Sequence, residues 1–190
     1  MKKPFSVFLL LCCAFAIQHA NAQQFEPKWS GTVCALKIET DTIAIPLEKA
    51  NVKVKTAASA GMILTGIGKV RKKYVIEGNQ STTQLNPYQP IVLIVKCKDN
   101  ESEPYSFIRI VKFEEKKKER KAELANLNWL GKSSEGNMEL IPYEAEVYGK
   151  SSYILTFTPP LGEFGVIIRN PNELDEKITI FHCFGVHENQ

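Results

Sequence analysis

Histidines and paired carboxylates are the side chains that most often carry acid–base chemistry, and this chain offers few of them. His182 and His187 lie near the C-terminus, and neither has the surrounding sequence of a catalytic serine or cysteine that it could serve. Glu144 and Glu146 share one face of a strand because their spacing is two residues. Glycosidases normally take their two carboxyl groups from separate elements. The sequence therefore predicts a protein that is not an enzyme.

Two glycine-containing segments begin like nucleotide-binding motifs and then depart from them. Gly61-Met-Ile-Leu-Thr-Gly66 lacks the Lys and Ser/Thr that must follow a phosphate-binding loop. Gly66-Ile-Gly68 lacks the third glycine of a dinucleotide-binding loop. These glycines predict a bulge or a sharp bend in a strand instead. We expect no cofactor and no metal.

The cysteines show neither a CxxC motif nor a Cys/His zinc pattern. Cys34, Cys97 and Cys183 are far apart and lie in apolar, strand-like segments, which predicts small buried side chains with at most one disulfide. If a bridge forms, we predict that it joins Cys34 to Cys97, because both belong to early strands.

Two basic clusters are the candidates for an anion-binding surface. The first contains Lys69, Arg71, Lys72 and Lys73, and the second contains Lys116, Lys117, Lys118, Arg120 and Lys121. Exposed basic side chains make charge-assisted contacts with acidic glycans or with envelope lipid phosphates. The alternative is a solvated surface, because glutamates interleave with the second cluster and exposed lysines discourage sheet edges from pairing.

Aromatic side chains are the candidates for binding a glycan. Trp29 and Trp129 could stack on sugar rings, with Tyr143 and Tyr148 beside them, if the rings are exposed together. The alternative is that they fill the core or cover the ends of sheets.

The elements that must position these residues have the composition of β-strands separated by turns. Predicted strands are 33–38, 42–47, 52–56, 91–95, 106–113, 153–158, 164–169 and 178–186. The apolar segment 91–95 predicts a central strand covered on both faces, as does 106–113. Segment 114–130 fits a helix or a half-exposed strand, and we favour the strand. The sequence thus predicts an all-β, antiparallel β-sandwich with at most one short helix, and an immunoglobulin-like arrangement is one form that fits.

The first 22 residues have the pattern of a secretory signal peptide. Lys2 and Lys3 precede an apolar stretch over 5–17, and Ala20-Asn-Ala22 suits cleavage after Ala22. Residues 23–190 then form one domain, which contains no apolar stretch long enough to span a membrane. The formal charge of +3 falls when Lys2 and Lys3 leave, which argues against a nucleic-acid-binding protein.

Several segments are distinctive in combination: Leu47-Glu-Lys49, Gly66-Ile-Gly-Lys69, the segment 113–124, Tyr148-Gly-Lys-Ser-Ser-Tyr153, Gly162-Glu-Phe-Gly165 and Phe184-Gly-Val186. Together they resemble a family of uncharacterised exported β-rich proteins of Bacteroidota. The resemblance implies export and a β-rich fold, and it implies no activity or site. Asp41-Thr42-Ile43 also matches the O-glycosylation acceptor pattern of that bacterial group, which predicts a glycan on Thr42.

These observations predict an exported, non-catalytic protein of the periplasm, cell surface or extracellular space. Its function would be to bind another protein or to form part of the cell envelope. The alternative function is glycan binding through Trp29 or Trp129.

Overall fold

The computed structural model describes residues 25–38, 41–65, 69–128, 133–135, 138–169 and 180–188, and β-strands dominate them. In chain order the strands are β1 (Val33–Ile38), β2 (Thr42–Pro46), β3 (Glu48–Asn51), β4 (Lys53–Ala58), β5 (Lys69–Glu77), β6 (Gln84–Leu85), β7 (Ile91–Lys96), β8 (Ile108–Glu115), β9 (Glu119–Asn128), β10 (Ser133–Glu135), β11 (Glu144–Tyr148), β12 (Ser152–Phe157), β13 (Gly162–Ile168) and β14 (Ile180–Val186). One short α-helix, α1 (Ala60–Thr65), follows β4, and a 3-10 turn (Pro104–Ser106) precedes β8. The predicted all-β class with at most one short helix is confirmed.

The first sheet has five strands in the order β11-β12-β7-β1-β2. All its pairs are antiparallel, and β1 and β2 form a hairpin in which Ile38 lies opposite Thr42. The predicted central position of β7 is confirmed. Leu93 and Val95 face the core, while Ile94 on the opposite face is also fully buried. Burial of both faces explains why the sequence of β7 lacks polar alternation.

The second sheet has nine strands, and it curls. Its main path is β3-β14-β13-β8-β9-β5-β4, with β10 beside β9 and the two-residue β6 parallel to β14. The pairing of β8 with β9 is limited to the positions of Glu114 and Glu115, and beyond them β9 leaves β8. Residues 139–141 occupy the vacated side of β8, where the Ile141 amide donates to the Ile110 carbonyl. An irregularity between Lys72 and Lys73 adds to the bending of β5 against β9.

The curl creates two hydrophobic cores, one on each face of β8, β13 and β14. The core toward the five-stranded sheet includes Leu93, Leu155, Ile110, Phe164 and Phe184. The core toward β5 and β9 includes Tyr74, Ala122, Phe113, Phe181 and Cys183. Strands β13 and β14 are therefore buried on both faces, so the fold adds a third layer to a two-sheet sandwich.

The favoured strand over part of 114–130 is observed, as β9. Arg120 and Ala122 are buried while Lys121 and Glu123 are partly exposed, which is the alternation of a strand. Pairing with β5 along nine positions stabilises the strand conformation. This pairing outweighs the near-helical spacing of the leucines in the sequence. The helix lies elsewhere: Gly61 is in α1, so the predicted bulge or bend at that glycine is wrong, while Gly66 and Gly68 are outside the described residues. No helix in the described part of the chain is long and apolar enough to cross a membrane.

Candidate interaction surface

A cluster of buried charged side chains is centred on Arg120, near the start of β9. Its Nη1 donates to Glu163 Oε2 at 3.2 Å and its Nη2 to Glu48 Oε1 at 2.7 Å. Its Nε donates to the Gly78 carbonyl at 3.3 Å. Arg120 is 1% exposed and Glu163 is 0% exposed, so both charges depend on these bonds to offset their loss of hydration.

The two glutamates of this cluster bind the segment between β5 and β7. Glu163 Oε2 accepts from the Ser81 amide at 2.7 Å, and Glu48 Oε2 accepts from the Thr82 amide at 2.7 Å. Burial by itself would raise the pKa of Glu48, but the bonds from Arg120 and from Thr82 outweigh it and lower that pKa. The lowered pKa keeps the Glu48 carboxylate ionised, and both carboxylates are engaged with donors of the chain itself. Their role is to stabilise the fold.

His187, near the C-terminus, joins the same cluster. Its Nε2 lies 2.9 Å from Glu163 Oε1. A histidine oriented by a carboxylate resembles half of a catalytic triad, but none of the described hydroxyl or thiol groups is hydrogen-bonded to this ring. No signal in the sequence connects residues 163 and 187, because the pair forms only when β13 and β14 align.

The predicted anion patch is changed by the burial of Arg120. Because this side chain is enclosed and paired with two glutamates, its inclusion in the patch is wrong. Lys117 and Lys118 are exposed in the turn between β8 and β9, and Lys116 there is paired with Glu114. Lys121 pairs with Glu119 at 2.7 Å. The second cluster is therefore largely neutralised by its own glutamates.

The first basic cluster lies on the hairpin formed by β4 and β5. Arg71, Lys72 and Lys73 are in β5, and Lys69 is its first residue. None of Arg71, Lys72 and Lys73 forms an ion pair within the described ranges, although Lys73 is close enough to Glu114 to lower the pKa of that carboxyl together with Lys116. The two basic clusters thus meet around Glu114, which sequence separation alone does not reveal.

The candidate glycan-binding aromatics are not assembled into one platform. Trp29 is 69% exposed, with Lys28 Nζ 4.8 Å from its ring centroid, while Trp129 lies outside the described residues. Tyr143 stacks on Tyr105 with 4.7 Å between ring centroids, and its hydroxyl donates to the Ile108 carbonyl at 2.9 Å. Tyr143 thus connects structural elements, and Trp29 remains the candidate with a free ring face.

Cys97, Cys183 and His182 are buried and Cys34 is partly buried, which makes them poor candidates for catalysis. Cys34, Cys97 and Cys183 are free, so the predicted Cys34–Cys97 bridge is not formed. Burial raises the pKa of Cys97 to about 11 and that of Cys183 to about 12, which keeps both protonated. Burial, and then the charge of Lys49, lower the pKa of His182 to about 4. Its Nδ1 has no hydrogen-bond partner.

Glu26 attaches the N-terminal segment to the five-stranded sheet. Its carboxylate accepts from Lys96 Nζ at 2.8 Å, from Ser152 Oγ at 2.8 Å and from the Ser151 amide at 3.2 Å. Gly149, in the left-handed region with φ of 57°, leaves the space that the carboxylate occupies. A Cβ at this position would lie 2.6 Å from Glu26 Cδ, so the turn between β11 and β12 requires glycine.

The edge strands differ in how they are protected. Strand β11 carries exposed Glu144 and Glu146, β4 carries Lys53 and Lys55, and β3 includes Glu48 and Lys49. Charges of this kind oppose the addition of another strand. Among the described edge strands longer than two residues, β2 is the one whose sequence, Thr-Ile-Ala-Ile-Pro, contains no charge.

Strand β2 also contains the candidate glycosylation site. Thr42 is its first residue and is half-buried, next to exposed Asp41 and to Ile43, which is 50% exposed. The site is therefore at the uncharged edge of the five-stranded sheet.

Among the described residues no group of three or more histidine, cysteine or acidic side chains is placed to hold a metal ion.

Comparisons of this chain with protein-family models, with curated proteins and with solved structures find no match. Known proteins therefore provide no second source of inference about this chain.

Proposed function

We propose that this chain is an exported, non-catalytic module of the cell envelope that binds another protein by adding a strand to the edge of β2. The expectation of export rests on the signal-peptide pattern of residues 1–22. The expectation of a binding rather than a catalytic role is supported by the engagement of Glu163, Arg120 and Glu48 with one another and with the backbone.

The observation that carries this proposal is the unprotected edge of β2. The strand has β1 as its one neighbour in the five-stranded sheet, and no charged side chain interrupts it. Along residues 42–45 its other edge has no strand neighbour in the described part of the chain, while the Pro46 carbonyl accepts from Thr83 Oγ1 at 3.4 Å. An extended peptide can pair with the backbone groups of such an edge and extend the sheet, a common mode of peptide recognition.

The inner face of the sheet defines the chemistry of the partner. Ile45 lies opposite Ala35, which is buried in the core, and Ile43 lies opposite Lys37 beyond the end of that core. Both isoleucines share a face because they are two residues apart. A partner strand would place alternate side chains against them. We therefore infer an extended segment with alternating apolar residues as the ligand.

Photo-cross-linking tests this proposal in the native envelope. A cross-linking amino acid at position 43 should give one dominant adduct with another protein, and mass spectrometry should map the cross-link to an extended segment of the partner. Ile43→Lys, combined with a cross-linker at Ala44, should remove that adduct, because a charge at the edge opposes pairing. Half-exposed Ile43 should tolerate lysine with a stability change of about 0.5 kcal/mol.

The matched control is on the opposite edge of the same sheet. Val147 in β11 is 66% exposed, and Val147→Lys should leave the adduct unchanged. Loss of the adduct with both variants, or an adduct from the cross-linker at position 44 that survives Ile43→Lys, would contradict strand addition at β2.

Glycan binding is the second candidate, favoured by one observation. Trp29 is 69% exposed and has Lys28 near its ring, an arrangement that suits a sugar bearing an acidic group. Glycan-array binding should then be lost in Trp29→Ala and retained in Tyr88→Ala, a control at another exposed aromatic residue. An array with no bound glycan would exclude this candidate.

A further inference from the structure

The hairpin of β4 and β5 has an apolar end that no described residue covers. Ile63 and Leu64 in α1 are 72% and 82% exposed. Every residue of β4, which leads into α1, is exposed as well. Two adjacent aliphatic side chains at this level of exposure form a local apolar projection at the end of an extended hairpin, and such projections commonly mark an interaction site.

Basic residues surround the hairpin just below this end. The last pair is Ala58 with Val70, and the next pairs bring in Arg71, Lys72 and Lys73. At about 3.3 Å per residue, the three basic residues lie within about 10 Å of the last pair. Successive strand residues point to opposite faces, so Lys72 is on one face and Arg71 and Lys73 are on the other. The cations therefore encircle the hairpin.

The charge around the apolar end is positive on balance. Lys53 pairs with Glu77 toward the base of the hairpin, and Lys55, which lies opposite Lys73, pairs with Glu119 at 3.1 Å. The other acidic residues in this part of the sheet are Glu123, opposite Lys73, Glu135 in β10, and Glu114, which lies near Lys73 and is itself paired with Lys116. They are outnumbered by Lys69, Arg71, Lys72 and Lys73, and the described residues form no ion pair with the last three.

We propose that α1 and the adjoining end of the β4–β5 hairpin dock the protein on the surface of an anionic lipid bilayer. The apolar side chains would enter the boundary between headgroups and acyl chains, which lies about 5–10 Å deep for interfacial segments. At that depth Arg71, Lys72 and Lys73 reach the phosphate level. A protein groove would need cations on its contact side alone, whereas a bilayer surrounds the hairpin and matches cations on both faces.

Vesicle sedimentation tests the proposal. The protein is expressed from its full sequence, purified as the cell processes it, and its N-terminus is identified by intact mass. It should bind vesicles of phosphatidylcholine with one-third phosphatidylglycerol and bind pure phosphatidylcholine at least tenfold more weakly, since each basic residue near an anionic surface strengthens binding about fivefold. Ile63→Asp/Leu64→Asp should weaken binding at least tenfold. Arg71→Gln/Lys72→Gln should weaken it about 25-fold and reduce its salt dependence.

Two control variants at exposed positions make the result specific. Val147→Asp removes an equally exposed apolar side chain from the other sheet, and it should leave vesicle binding unchanged. Ile43→Lys, which disables the proposed β2 edge, should also leave it unchanged, so the two proposals fail independently. Equal binding to neutral and anionic vesicles would overturn the proposal. So would a protein partner whose capture depends on Ile63 and Leu64 when vesicles do not bind.

Discussion

At the residue scale, the burial of His182 makes stability depend on pH. Its pKa is about 4 in the folded chain, against 6.5 for a free histidine. Between these values the unfolded chain binds the proton more readily, so the contribution of the neutral ring is complete above pH 6.5 and is lost as the pH falls toward 4. The free energy of unfolding in urea should be lower at pH 4.5 than at pH 7, and His182→Leu should reduce that difference by about 2 kcal/mol.

The same measurement distinguishes His182 from other acid-sensitive groups. His182→Leu should make the free energy of unfolding less dependent on pH between pH 6.5 and pH 4. The loss of stability below pH 4, which comes from carboxylates, should persist in this variant. An unchanged slope between pH 6.5 and pH 4 would mean that the ring is accessible to protons in the folded protein.

Glu26 is the second residue whose charge matters for folding. Partial burial would raise its pKa, but the bonds from Lys96, Ser152, Ser151 and Lys150 hold it at about 2. The contribution of ionised Glu26 to the stability of the folded state is therefore complete above pH 4.5 and is lost as the pH falls through 2. Glu26→Gln should lower the free energy of unfolding by about 1–2 kcal/mol at pH 7, because it removes charge-assisted bonds.

The matched control for Glu26→Gln is Glu139→Gln. Glu139 bonds to Lys112 at 3.2 Å with a side chain that is 60% exposed, so its loss should change stability by under about 0.5 kcal/mol at pH 7. Similar effects of the two variants in urea unfolding would contradict a special role for Glu26.

At the scale of elements, β13 can lie between two cores because Gly165 has no side chain. A Cβ there would lie 2.7 Å from ring atoms of Phe113 and of Phe181. Those rings contact edge to face with 5.3 Å between centroids, and they have little room to move. Gly165→Ala should therefore destabilise the protein by about 1–3 kcal/mol in urea unfolding.

A second variant tests whether that effect is steric. Phe113→Leu makes space beside position 165. Gly165→Ala should therefore lower the free energy of unfolding less in the Phe113→Leu background than in the wild type. Equal costs in both backgrounds, measured as a double-mutant cycle, would show that crowding against Phe113 is not the cause.

At the scale of the whole molecule, Arg120 joins parts of the chain that are far apart in sequence. Glu48 precedes it by 72 residues and Glu163 follows it by 43. Arg120→Leu would leave both carboxylates without their cation, and Glu163 is fully buried. We expect a loss of about 3–5 kcal/mol in the free energy of unfolding, measured by urea denaturation.

Arg120→Leu/Glu163→Leu provides the comparison for this prediction. Removing both charges avoids an unpaired buried ion, so the double variant should be more stable than Arg120→Leu alone. A double variant that is less stable by the sum of the single effects would show that the two residues do not interact.

The strands of this protein and their class were accessible from the sequence, because alternation and turn residues are local signals. The predicted strand 33–38 coincides with β1, and the predicted strand 153–158 differs from β12 by one residue at each end. The central position of β7 followed from its continuous apolar sequence. The same local evidence did not locate α1, because a helix of six residues is too short to show a period.

Other features of this protein are decided only by the tertiary structure, because they depend on contacts between residues that are distant in sequence. The curl of the nine-stranded sheet buries Arg120, which the sequence places in a solvated basic cluster. The same packing brings His187 to Glu163 and Glu26 to Lys96. The uncharged composition of β2 is visible in the sequence, but its position at a sheet edge follows from strand order. Sequence determines which residues can be charged or apolar, while the packing of sheets determines which of them reach solvent.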